Sequence, residues 1–247
     1  MTLALTGGTG FVGRTLLGLA ADAGYRINAL ARSPQFDRPR VRWVQGALSD
    51  PMALAEIASG ADAVIHVAGV VNAPDRAGFE AGNVAGTLAM VEAARMAGVS
   101  RFIHVSSLAA RQPELSAYGW SKARAETIVQ ASGLDWTIVR PPAIYGPGDR
   151  EMLDLFRVAR LGVVPLPPAG RMSVIAVSDL ARLLLALIPA AEARAAVFEA
   201  DDGRAGGWSH VDFGRAIGQA VGRGVWPLPL PRGLLAAAAQ ADRLIRG

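Results

Sequence analysis

The chain has 247 residues, is 51% hydrophobic and carries a formal net charge of +4, enough apolar material for one large α/β domain with a small appended lobe. It has no cysteine, which excludes disulfides, thiolate catalysis and cysteine metal sites. Its three histidines (His66, His104, His210) lack ligand spacing and its arginines are dispersed, so neither a metal nor a nucleic-acid partner is expected. No apolar run reaches the ~18 residues of a membrane span, so no integral membrane segment is expected. Met1 stands directly before a strand pattern, which leaves no room for a signal peptide and makes a cytoplasmic location the expectation.

Leu3-Ala4-Leu5 reads as the first strand. Thr6-Gly7-Gly8-Thr9-Gly10-Phe11-Val12-Gly13 follows, then an apolar, small-residue helix over 14–23. Strand, glycine-rich turn and helix in that order are the context of a phosphate-binding fingerprint. Gly7 allows the tight turn, Gly10 lets the backbone approach a pyrophosphate, and Gly13 lets the helix pack on the strand. Free N–H groups at the helix start, aided by the dipole, would hold the phosphates, with Thr9, Phe11 and Val12 in the same turn. The second strand, 25–31, ends at Arg32. An acid there would take a ribose 2′-OH; a guanidinium pairs a 2′-phosphate instead, so NADP(H) is favoured and NAD(H) stays open.

A third strand spans 41–45, a helix 51–59, and a fourth strand 63–67 that leads into Ala68-Gly69, small enough for a cofactor to lie against. A helix over 85–97 follows Asn83, and a fifth strand covers 101–106. Apolar strands alternating with helices imply a parallel sheet with right-handed crossovers. Ser106 and Ser107 come next, then Tyr118 and Lys122 on a helix reaching 131. At i and i+4 these two share a face, about 6 Å apart along the axis. An ammonium there is expected to lower the phenol pKa and suit it to proton transfer. Lys122 is the only lysine in the chain, against 24 arginines. The sixth strand, 136–140, places Arg140, Ile144 and Tyr145 to line a cleft beyond the strand ends.

The second half reads as a helix from Asp149-Arg150 to 161, a loop over 163–170 that could serve as a lid, and a strand over 171–177. Ser178-Asp179 is expected to cap a helix over 180–188. A strand at 197–200, a helix at 211–221 and an extended 225–231 precede an Ala/Leu-rich helix over 232–246, a packing face first and a partner or membrane face second.

The fingerprint, Asn83-Val84-Ala85-Gly86-Thr87, Ser107, Tyr118-x-x-x-Lys122 and Arg140-Pro141-Pro142-Ala143-Ile144-Tyr145-Gly146-Pro147 together resemble the extended short-chain dehydrogenase/reductase superfamily, the NAD-dependent epimerase/dehydratase group. The resemblance covers roughly residues 3–190. It implies a doubly wound Rossmann parallel sheet over 1–145, with a small substrate lobe over 146–247 interleaved with the core as one structural unit. It implies Ser107, Tyr118 and Lys122 as catalytic residues and Asn83 as their support, with Ser106 the alternative serine. Tyr118 would exchange a proton with a carbonyl or alcohol, and Lys122 would bind the nicotinamide ribose. Pro141 and Ile144 would join the cofactor contacts. Where the family commonly has an acid on adenine this chain has Ala47, though Leu48 could still cover the ring. Leu108-Ala109-Ala110 lacks the acid pair of the dehydratases, which rejects that activity. The expected function is NAD(P)-dependent hydride transfer to or from a small-molecule carbonyl or alcohol. A nucleotide-sugar epimerase comes second, and a non-catalytic accessory protein like the one in respiratory complex I third. The resemblance also implies a homodimer through the helices that follow Asn83 and carry Tyr118.

Overall fold

Strands whose residues are apolar on both faces need helices on both faces, and the first half of the chain supplies that alternation. In the computed structural model, which describes residues 1–231 and Gly233, it runs β1 (Thr2–Thr6), α1 (Phe11–Asp22), β2 (Arg26–Ala31), β3 (Val41–Gln45), α2 (Pro51–Ala58), β4 (Ala63–His66), α3 (Arg76–Phe79), α4 (Gly86–Met96), β5 (Arg101–Val105), α5 (Ala117–Gln130) and β6 (Asp135–Arg140). The second half runs β7 (Ala143–Tyr145), α6 (Leu153–Ala159), β8 (Val163–Leu166), β9 (Arg171–Met172), β10 (Val174–Ala176), α7 (Val177–Ala186), β11 (Ala196–Glu199), β12 (Trp208–Ser209), α8 (His210–Ala220) and β13 (Trp226–Pro229). The helix expected over 232–246 lies outside the described residues.

Seven strands form one sheet in the order β11-β6-β5-β4-β1-β2-β3, every pair parallel. From β1 the chain winds out through β2 and β3, then crosses back to β4 and winds the other way. The order therefore reverses between β1 and β4, and the carboxyl ends of those strands form the switch-point crevice of a doubly wound sheet. Helices α1 and α7 pack together on one face, α2, α4 and α5 side by side on the other. Phe102, Met90, Leu54, Ile57 and Ile138 are buried in the core beneath that second layer. Helix α2 starts where it does because Asp50 accepts from Met52 N and Ala53 N and Pro51 occupies the first turn.

The chain divides into two compact units. The first contains residues 1–142 and 176–200; the second contains 143–175 and the chain from 201 on. The segment 176–200, expected in the lobe, belongs to the core: α7 packs on α1 and β11 pairs with β6 as the edge strand. In the second unit Val164, Leu166, Val174, Phe213 and Ile217 make a separate small core. Three local expectations change here. The lid expected over 163–170 begins as β8, held in a parallel ladder by β13. Helix α6 starts at Leu153, after a turn in which Asp149 Oδ1 accepts from Glu151 N and Met152 N. Helix α7 starts at Val177 directly off β10, so its N-cap is Ala176 and Ser178-Asp179 falls inside the first turn.

Candidate active site

The glycine turn ends β1 at the switch point. Gly7 has φ +76°, and a Cβ on it would stand 2.7 Å from Ala68 N. A Cβ on Gly13 would stand 2.0 Å from Gly7 O. Helix α1 therefore approaches β1 through a contact that no other side chain permits. Gly10 is the N-cap of α1, its own N–H donating to Gly7 O at 3.0 Å, and no side chain caps the helix. Phe11, Val12 and Gly13 open the helix with backbone donors left for a ligand, beside half-buried Thr9. That cradle fits a dinucleotide diphosphate. Ala68 and Gly69 flank it at the end of β4, where Ala68 N donates to Thr6 Oγ1 at 3.2 Å. Arg32 is exposed past β2, with no hydrogen bond or ion pair from its guanidinium among the described residues. Leu48 is half-buried over Gly86, whose Cβ would meet Leu48 Cδ1 at 2.6 Å. Pro141 is buried, and its carbonyl accepts from Leu108 N at 2.9 Å, tying the turn after Ser107 to the end of β6. Ile144 and Tyr145 belong to the second unit, where Tyr145 packs on its small core.

Helix α5 is capped by Ser116, whose Oγ accepts from Gly119 N at 2.9 Å. One turn in, Lys122 is 5% exposed and its Nζ donates to Val105 O at 2.8 Å. Burial lowers its pKa to about 8, with the Glu126 carboxylate acting in the opposite direction. Tyr118 is half-buried, and burial raises its phenol while a hydrogen bond with the Ser107 hydroxyl opposes that rise. In the protein alone the phenol therefore moves up rather than down as expected, because desolvation of the phenolate exceeds the Ser107 hydrogen bond. Ser107 Oγ accepts from Ala109 N at 3.2 Å and caps a short 3-10 turn, Leu108–Arg111. Ser106 is not available as the alternative, since its hydroxyl donates to buried Glu126. Asn83 lies in the π-type turn Glu80–Ala85. Its Nδ2 donates to Val70 O at 3.0 Å and Ser121 Oγ at 2.9 Å, and its Oδ1 accepts from Val70 N at 2.7 Å. Ser121 Oγ in turn donates to Tyr118 O at 2.7 Å. Asn83 therefore holds the loop after β4 against α5.

Several residues that the sequence did not single out build the floor. Glu126 is 3% exposed and takes a two-point fork from Arg140, Nε to Oε1 at 2.9 Å and Nη2 to Oε2 at 2.6 Å. Arg140, expected to line a substrate cleft, is committed to that pair and to Glu199. The signal that could have found Glu126 is its spacing, i+4 from Lys122. Beneath Lys122, His66 bonds Thr6 Oγ1 through Nδ1 at 2.8 Å and Thr87 Oγ1 through Nε2 at 3.2 Å. His104 stacks on it with centroids 5.5 Å apart, and neither of its ring nitrogens has a partner among the described residues. Burial first, then the Lys122 charge, lowers His66 to about 3 and His104 well below its usual value.

A model of a family described as NAD(P)H-binding matches residues 7–189. A ceramide reductase of Caulobacter vibrioides (strain NA1000 / CB15N) is 41% identical over 97% of this chain and 77% of its own length. A ketoreductase of Stigmatella aurantiaca, named for 4-hydroxy-2-methyl-3-oxo-4-farnesyl-3,4-dihydroquinoline-1-oxide, is 32% identical over 63% of this chain; the match spans 55% of that protein. The structure of MoeE5 in complex with UDP-glucose and NAD superposes with a TM-score of 0.80 at 22% identity, over 93% of this chain and 85% of that one. At that identity the likeness shows the fold.

Proposed function

The chain belongs to the NAD(P)H-binding family, within the extended short-chain dehydrogenase/reductase superfamily, and is an NAD(P)-dependent oxidoreductase; from that premise we propose that it reduces the carbonyl group of a ceramide-type lipid with NADPH. The observation that carries the chemistry is the pairing of a protonated Tyr118 with the Ser107 hydroxyl, one helical turn from Lys122. Held by its diphosphate in the glycine cradle, the cofactor would supply a hydride from its nicotinamide. Gly7, Thr9, Gly10, Phe11, Val12 and Gly13 hold the diphosphate, and Ala68 and Gly69 give it room. Leu48 covers the adenine, Pro141 completes the contacts, and Arg32 pairs the 2′-phosphate. Lys122 reaches the nicotinamide ribose with the N–H groups that Val105 leaves free. Ser107 donates a hydrogen bond to the substrate oxygen, and Tyr118 gives that oxygen the proton that completes the alcohol. A phenol whose pKa is raised stays protonated at neutral pH, the state a carbonyl reduction needs.

The lipid assignment is supported by the identity to the ceramide reductase along nearly the whole chain. The same reading takes α4 and α5 as a homodimer face, where Leu88 and Met96 are exposed, and a cytoplasmic location; sedimentation and cell fractionation test these. The deciding experiment incubates the purified chain with NADPH and a carbonyl-bearing ceramide and follows the alcohol by mass. Tyr118→Phe is expected to bind NADPH normally and to lose about 100-fold or more in kcat, the usual scale of general acid catalysis. Unchanged turnover in Tyr118→Phe would remove the proton role, and no lipid reduction by the native chain would remove the substrate.

A further inference from the structure

Glu126 is a buried anion that the chemistry above does not use. Burying a carboxylate is costly even when it is paired, and apolar replacements of such pairs are often tolerated, so a fold gains little from one by stability alone. Its surroundings are specific. Arg140 at the end of β6 grips both carboxylate oxygens, and Ser106 at the end of β5 donates to Oε1. Lys122, one turn earlier on α5, donates to the carbonyl of Val105, the residue before Ser106. Two successive turns of α5 are thereby pinned to Val105, the last residue of β5, and to Ser106 directly after it, and Ser107 is the next residue along. The charged and titratable groups that act on Lys122 are Glu126 on α5, His66 on β4 and His104 on β5, with Arg140 on β6 gripping Glu126 behind them and Tyr118 one turn earlier on α5. Both imidazoles are neutral through burial. Glu126 is the anion of that set.

We propose that Glu126 is a positioning residue: forked by Arg140, it holds the Tyr118–Lys122 face of α5 against the end of β5 and keeps the Lys122 amine charged. The proposal rests on the roles given to Tyr118 and Lys122 above, but its test needs neither cofactor nor substrate. Because Lys122 is the only lysine, ¹³Cε-lysine supplied during expression labels this residue alone, and its resonance reports its titration directly. The native chain is expected to titrate near 8. The isosteric Glu126→Gln is expected to lower that midpoint by about 1 unit or more, the scale of losing an opposite charge one turn away. A folded Glu126→Gln with an unchanged midpoint overturns the proposal. Arg140→Gln keeps the carboxylate, still bonded by Ser106, and removes a cation, so Lys122 is expected to titrate at or above its native value. A fall there overturns the proposal too, and this arm decides should Glu126→Gln fail to fold. Failure of lipid reduction with these titrations as expected would instead count against the reaction assigned above.

Discussion

Gly13→Ala tests the cradle most sharply. A Cβ there would stand 2.0 Å from Gly7 O, 2.7 Å from Gly7 C and 2.8 Å from Gly8 Cα, all backbone atoms of the turn itself. Ordinary contact begins at 3.4 Å, so α1 must retreat from β1 by about 1.4 Å or the turn must open. Overpacking of this kind costs about 1–3 kcal/mol. In a chain of this length each kcal/mol moves Tm by roughly 2–4 °C, which gives a fall of about 2–12 °C. The same retreat draws the first-turn N–H groups off the diphosphate. Loss of one charge-assisted hydrogen bond, about 1.5–3 kcal/mol, raises Kd for NADPH roughly 10- to 100-fold. Gly18→Ala, in the same helix with no atom within 4 Å of its Cβ, is the control. It is expected to bind NADPH normally and to gain about 0.5–1 kcal/mol from helix propensity. Thermal melts and NADPH titration read both variants. Gly13→Ala that melts and binds like the native chain would refute the close-approach argument. Equal damage in Gly18→Ala would show that α1 needs glycine for some other reason.

Two further outcomes are expected. Arg32→Ala raises Kd for NADPH about 10-fold or more while leaving NADH within about two-fold, because only the 2′-phosphate meets the guanidinium; equal losses for both cofactors in titration would cancel the NADP(H) preference. The buried imidazoles make the fold acid-labile. His66 has its pKa lowered from 6.5 to about 3, so the unfolded chain binds more protons between those values and stability rises with pH there. The contribution is complete above pH 6.5 and is lost as pH falls toward about 3, up to about 5 kcal/mol for this one group. Urea midpoints from pH 7 to 4 are expected to fall steeply, and His104→Phe, which cannot charge, to flatten that fall; an identical acid limb in the variant would assign the lability elsewhere.

Most of the sheet was legible in the chain itself. Strands β1 to β6 and helices α1, α2, α4 and α5 follow from short apolar runs, the Asp50-Pro51 start of α2, and glycines at turns, all signals carried within a few residues; α3 was not read. The glycine turn was legible for the same reason: Gly7, Gly10 and Gly13 answer a local demand of a strand–turn–helix. That Tyr118 and Lys122 lie one turn apart on one helix follows from their spacing alone. Residues brought together from distant segments were not legible. Ser106 and Ser107 are adjacent and chemically identical, and the distinction between them comes from Glu126 on another element, which takes the Ser106 hydroxyl. Arg140 was read as facing substrate, yet the fork to Glu126 turns it inward. The phenol of Tyr118 moves up rather than down because its burial, set by packing, outweighs the Ser107 hydrogen bond. Segment 176–200 returns to the core through the β11–β6 ladder, and β8 is a strand because β13, some sixty residues on, pairs with it. Periodicity, turn chemistry and motif order are written along the chain; desolvation, ion pairing and strand partners exist only once distant segments have met.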